Sequence, residues 1–141
     1  MESYEITLIN LHSHIESLAK IEVDEAESSD NICITAVING QTVSAAKYGY
    51  FEAFQSFRDK VLSIGYGIKC NGSKINAVQS GMMATCAKIY LVEIGRQALL
   101  NQTAIIWDYA DISSFPDSKE QQQFFQKWIY SLKKVDTDSQ K

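Results

Sequence analysis

The sequence predicts a single α+β domain over residues 1–135, mainly an antiparallel sheet of about five to six strands with a central amphipathic helix and a C-terminal helix packed on it; residues 136–141 are read as a flexible C-terminal tail. Three observations carry this. Two β-prone runs are joined by Asn39-Gly40, aromatic residues recur at spacings of three and four after Tyr48, and Asp117 stands three residues before Glu120 ahead of an apolar stripe. A chain of 141 residues is long enough to bury one sizeable core.

Along Tyr4–Leu11, Tyr4, Ile6 and Leu8 alternate with Glu5, Thr7 and Ile9, the period of a strand, with a helix as the alternative. From Ser17 to Glu25, Leu18, Lys20, Glu22 and Asp24 alternate with Ala19, Ile21, Val23 and Glu25, which predicts a second strand with an acidic edge and an apolar face. A turn over Asp24–Asp30 leads to Asn31–Ile38 and Gln41–Lys47, which Asn-Gly joins as a type I′ hairpin, because that turn needs positive φ at both central positions. Phe51, Phe54, Phe57, Val61 and Ile64 then mark one face of a helix from about Tyr48 to Ile64, with Gly65 as the residue that ends it. Tyr66–Cys70 reads as a short strand closed by Asn71-Gly72, and Ser73–Ala87 as an irregular surface connection. Lys88–Gly95 is the most strand-like run and is expected at the centre of the sheet, with Thr103–Trp107 a further short extended segment. Asp117 and Glu120 form a capping box, after which Phe124, Phe125, Trp128, Ile129 and Leu132 give the last helix an apolar face expected to dock on the sheet, with fraying from Val135 onward.

The formal charge of −4 is unevenly distributed: residues 1–31 hold eight acids against the single base Lys20, and the remaining residues hold nine acids and twelve bases. Direct binding to nucleic acid is disfavoured, since that affinity comes largely from lysines and arginines that displace counterions. No run approaches the ~20 apolar residues that span a bilayer, and the residues after Met1 lack the pattern of a signal peptide, so the expected location is the cytoplasm, away from membranes. Cys33, Cys70 and Cys86 are odd in number and widely spaced, which suits small core residues better than a disulfide framework or zinc site.

Residues that could carry chemistry do not assemble into a catalytic set. His12 and His14 are spaced to share one face of a strand, yet no third metal ligand is nominated. A nucleophilic cysteine needs a base beside it and an electropositive setting; Cys86, near the irregular segment, is the one cysteine to test for that role. Phosphate-cradling glycine motifs and H-E-x-x-H are missing, so the expectation is a non-enzyme with no cofactor and no metal. Glu22, Asp24, Glu25, Glu27 and Asp30 lack calcium-loop spacing and read instead as a charged recognition patch that would steer a basic partner. Trp107, Asp108, Tyr109 and Asp111 combine aromatic and acid in W-D-Y-A-D, a second candidate contact surface.

From the Asn39-Gly40 hairpin onward, the helix Tyr50–Ile64, the Cys70-Asn71-Gly72 turn, Ser80-Gly81-Met82, the strand Lys88–Gly95 and the closing helix Glu120–Leu132 occur in an order similar to a family of small bacterial immunity proteins. These are encoded beside polymorphic and contact-dependent growth-inhibition toxins. The resemblance covers about two-thirds of the chain; where the family carries glycines and an arginine after Ser-Gly-Met, this chain has Met83-Ala84-Thr85-Cys86. It implies an immunity protein that binds and neutralises a cognate basic toxin domain, a ribonuclease or deoxyribonuclease; the oligomeric state is left open, with a monomer favoured. Glu22, Asp24, Glu25, Glu27, Asp30, Asp108, Tyr109 and Asp111 are the expected contact residues. The competing readings are a small enzyme using Cys86 or the His12/His14 pair, and a structural or regulatory subunit that pairs through a sheet edge.

Overall fold

The computed structural model describes residues 1–26, 29–98 and 102–139, with side chains of the last helix described to residue 133. Asn39 and Gly40 adopt φ of 50° and 78°, so the turn between β3 (Asn31–Ile38) and β4 (Gln41–Tyr48) has the two positive values a type I′ hairpin requires. β1 (Glu2–Asn10) and β2 (Glu16–Glu25) form a second hairpin, and β5 (Tyr66–Ile68) adds antiparallel to β1. The resulting five-stranded sheet runs β4-β3-β2-β1-β5. The fold is α+β.

Alternation along the strands decides which face is buried. Ile6, Leu8, Ile21, Val23, Ile34, Ala36, Val43 and Ala45 form one core with Phe54, Phe57 and Val61 of α1 (Tyr50–Ser63), whose C-terminus passes through Ile64 to Gly65 at φ 94°. The opposite face over β2–β4 carries Lys20, Glu22 and Ser44, together with Leu18 and Val37, which are 65% and 64% exposed. β4 lies at the free edge of this sheet. In a two-residue hairpin the Ser44 carbonyl points away from β3, and Lys60 of α1 donates to it at 2.6 Å, placing an ammonium on the edge where another strand would pair.

The chain then builds a second sheet. β6 (Ala77–Val78), β7 (Lys88–Leu91) and β8 (Thr103–Ile105) pair in that order. Two expectations change here. Lys88–Gly95 is a strand only to Leu91, and it is central in this smaller sheet, because after Leu91 the chain turns through Gly95 at φ 81° and Ile94 comes to lie at the surface. The connection over Ser73–Ala87 is more than a surface loop, since it contains β6 with Ala77 and Val78 buried, flanked by 3₁₀ turns at Asn71–Ser73 and Gly81–Met83.

α2 (Ser118–Ser139) begins at the expected capping box. Glu120 N–H donates to Asp117 Oδ1 at 2.9 Å and Asp117 N–H donates to Glu120 Oε1 at 3.2 Å. Its apolar face docks on the smaller sheet, not the large one: Trp128 is buried with Val78 and Val92, and Phe124, Phe125, Ile129 and Leu132 pack around them. The helix is continuous to Ser139, so the segment from Val135 starts as helix. A buried polar network ties its first turns to α1. Arg58 and Gln121 are 1% and 2% exposed; Arg58 donates to Gln121 Oε1 at 2.6 Å and to Asp59 at 2.9 Å, and Ser118 N–H donates to Asp59 at 3.1 Å. No helix among the described residues is long and apolar enough to cross a membrane.

Candidate functional site

The first acidic group divides across the end of β2. Glu22 and Asp24 point to the open face, opposite Thr35 and Cys33 of β3, because Ile21 and Val23 between them turn into the core. Glu25 shares the side of Val23, and Asp30 lies exposed in the approach to β3. Glu27 lies outside the described residues. Glu2, at the start of β1 and opposite Val23, brings a further carboxylate to the same end of the sheet.

Two clefts meet at Tyr50, the first residue of α1. One, of about 230 Å³, is lined by Glu25, Asp30, Tyr48, Ala84 and Thr85 as well as Tyr50; the other, of about 200 Å³, by Glu2, Asp24 and Glu25 with Tyr50. Burial first, and then the carboxylates of Glu25 and Glu2, push the Tyr50 phenol above its ordinary pKa. Tyr4 is raised chiefly by its hydrogen bond to Glu2. Asp24 lies 3.8 Å from the Met1 amino group, while Glu2, Glu25 and Asp30 stand in no ion pair among the described residues. The end of the sheet thus offers anionic oxygens beside aromatic rings, the chemistry that receives lysine and arginine side chains.

The second expected group lies elsewhere. After β8 the chain runs along residues 69–72: Asn71 N–H donates to the Asp108 carbonyl, Gly72 N–H to that of Ile106, and Ala110 N–H to that of Lys69. This turns Trp107 inward, where it is 2% exposed and stacks on Tyr4 with centroids 5.2 Å apart, so Trp107 is a core residue and not a contact anchor. Asp108 and Tyr109 remain exposed. Asp111, by contrast, is answered internally: Lys69 Nζ lies 2.9 Å from Asp111 and 2.6 Å from Glu16, 5.8 Å from the centre of the Tyr109 ring. Lys69 holds the Asp111 carboxyl below its ordinary pKa. Glu16 and Glu25 are at opposite ends of β2, about 30 Å apart at roughly 3.3 Å per residue, so the two acidic groups do not form one surface.

His12 and His14 fall in the turn between β1 and β2, His14 with φ 62°, and so do not share a strand face. Among the described residues no three His, Cys, Asp or Glu side chains group as metal ligands. Of the cysteines, only Cys70 is fully buried; Cys33 is half-buried on the open face opposite Asp24, and Cys86 is half-buried with its thiol donating to the Met83 carbonyl at 3.4 Å. Tyr48, Tyr50 and the Ala84-Thr85 wall were not singled out by the sequence. The signal available was Tyr48-Gly49-Tyr50 at the junction of a strand and a helix, where the chain must reverse and both rings flank the corner. No protein-family model matches the chain, and no curated protein matches it.

Proposed function

We propose that the protein is an immunity protein that binds a cognate basic toxin domain, a nuclease of contact-dependent growth inhibition, and neutralises it in the cytoplasm without catalysing a reaction. The observation that carries this reading is the convergence of Glu2, Glu25 and Asp30 around Tyr50, with Tyr48 beside them and Asp24 on the other face of the same strand end. A nuclease holds cationic groups around its phosphate site, and a surface of carboxylates and phenols can meet those groups as a nucleic acid would. Long-range attraction would speed the encounter, and the rings would supply area at low entropic cost. The order of features from Asn39-Gly40 to Leu132 that resembles the immunity family supports the same reading.

The test is co-expression with the toxin domain encoded beside this chain. The wild type should protect, and the triple variant Asp24→Lys, Glu25→Lys, Asp30→Lys should lose protection and bind with a slower, less salt-dependent on-rate. Full protection by the triple variant would remove this surface from the mechanism.

A further inference from the structure

A larger cavity, of about 320 Å³, lies between the first turns of α1, β6 and α2, and it shares Tyr48, Gly49 and Ala84 with the cleft that holds Glu25 and Asp30. Its polar groups are unevenly engaged. Gln79 Nε2 donates to the carbonyls of Cys86 and Lys88, and its Oε1 accepts from Phe51 N–H. Gln121 Nε2 donates to the carbonyls of Gly72 and Lys74, and Gln55 Nε2 donates to Gln121 Oε1 at 3.0 Å. Three of the four lining glutamines thus direct their amide nitrogens at the protein, while the Gln122 amide and the Ser80 hydroxyl stand exposed at the rim. Acceptors remain: the Glu52 carboxylate and Gln55 Oε1 have no hydrogen-bond partner among the described residues, and no lysine, arginine or histidine lines the cavity. Phe51 and Phe125 supply aromatic surface to the same cavity.

A ring-lined cavity whose one charged side chain is a carboxylate calls for a planar cation that donates. We infer that this cavity is the anchor pocket for a guanidinium group, an arginine side chain carried on the polypeptide partner. Guanidinium has five N–H donors and no acceptor, stacks on aromatic rings, and is less strongly hydrated than the lysine ammonium, so it enters a confined site at lower cost. The positive end of α1 opposes a cation with only about half a charge, and Glu52 on its first turn outweighs it. The volume is at the small end of ligand sites, about 300–1,000 Å³, which suits one side chain. The choice of a polypeptide as carrier rests on the proposed function, since the pocket continues into the acidic cleft.

The test is titration of the full-length ¹⁵N-labelled protein with a capped Gly-Arg-Gly peptide, its lysine counterpart and free arginine. The arginine peptide should produce saturable amide shifts at Gly49, Glu52, Gly81 and Gln122, and the lysine peptide should bind several-fold more weakly. Glu52→Gln, at an exposed position, should weaken binding about tenfold, the size expected for one charge-assisted hydrogen bond. Ser80→Phe, at the exposed rim, should close the pocket and abolish it. No saturable shift, or an unchanged affinity in Glu52→Gln, would overturn the assignment, and free arginine binding as tightly as the peptide would give the pocket to a small molecule instead. Toxin protection separates this inference from the proposed function. Loss of protection in the triple charge variant with full protection by Glu52→Gln would sink the pocket alone, and peptide binding in a protein that protects against no toxin would sink the immunity reading alone.

Discussion

Gln121 is the residue whose replacement should reveal most about how this fold is held together. It is buried, and it fills four hydrogen bonds: Oε1 accepts from Arg58 at 2.6 Å and from Gln55 at 3.0 Å, and Nε2 donates to Gly72 O at 2.8 Å and Lys74 O at 2.7 Å. Gln121→Leu keeps the volume close to constant and removes all four. The Lys74 carbonyl keeps its bond from Ala77 N–H at 3.1 Å, so the loss falls on two groups. Leaving the Gly72 carbonyl without a donor costs about 1 kcal/mol and leaving the buried guanidinium without its closest acceptor costs about 2 kcal/mol, together about 3 kcal/mol against a usual total of about 5–15 kcal/mol. Arg58→Met should cost less, because removing the charge also removes the desolvation that holds the guanidinium below its ordinary pKa. The double variant should then be more stable than the sum of the two losses implies, by about 2 kcal/mol. Urea unfolding followed by tryptophan fluorescence is well suited to the measurement, since Trp107 reports the large core and Trp128 the docking of α2. Gln121→Leu should release Trp128 first. Additive losses within about 0.5 kcal/mol would refute the coupling on which this account rests.

Three further expectations follow from local geometry. A Cβ at Gly72 would lie 2.8 Å from both Ile106 Cγ2 and Phe54 Cε2, so Gly72→Ala should destabilise by about 1–3 kcal/mol in chemical denaturation, and an unchanged midpoint would show that this contact yields freely. Lys60→Ala removes the ammonium from the β4 edge and should produce concentration-dependent dimers in light scattering; a strict monomer at high concentration would mean the edge is protected by something else. Burial raises the Cys70 thiol to about 11 from its ordinary 9.0, so between those values the unfolded chain loses a proton that the folded chain keeps, and stability should fall as pH rises through that window. Cys70→Ala should flatten that part of the stability curve, and an identical slope in both proteins would remove Cys70 as its source.

Much of the architecture was legible because it is written in short-range terms. Asn39-Gly40 specifies a turn by the φ values it tolerates, the Phe51–Val61 spacing specifies a helix face, and Asp117 with Glu120 specifies where the last helix starts. The alternation in β2 also separated Glu22 and Asp24 from the core correctly. What could not be read was which surfaces meet. Lys88–Leu91 has the composition of a central strand and is one, but nothing in its residues says that its neighbours are β6 and β8 and not β1. Trp107 and Tyr109 look alike in sequence as aromatic anchors, yet the backbone bonds to residues 69–72 turn the first inward and leave the second at the surface.

The sequence by itself determined the α+β class, the hairpin, both helices and the concentration of acid in the first third of the chain, because each depends on neighbours a few residues apart. Only the tertiary structure decided that Asp111 belongs to Lys69, that Glu2, Glu25 and Asp30 gather with Tyr48 and Tyr50, and that Glu52 is the one charged side chain of a cavity lined by aromatic rings and glutamines. The physical reason is that charge counts add along a chain, whereas electrostatic effect falls with distance in space and changes with burial. Residues 2, 25, 30 and 50 become one surface only after β1, β2, β3 and α1 have paired and packed.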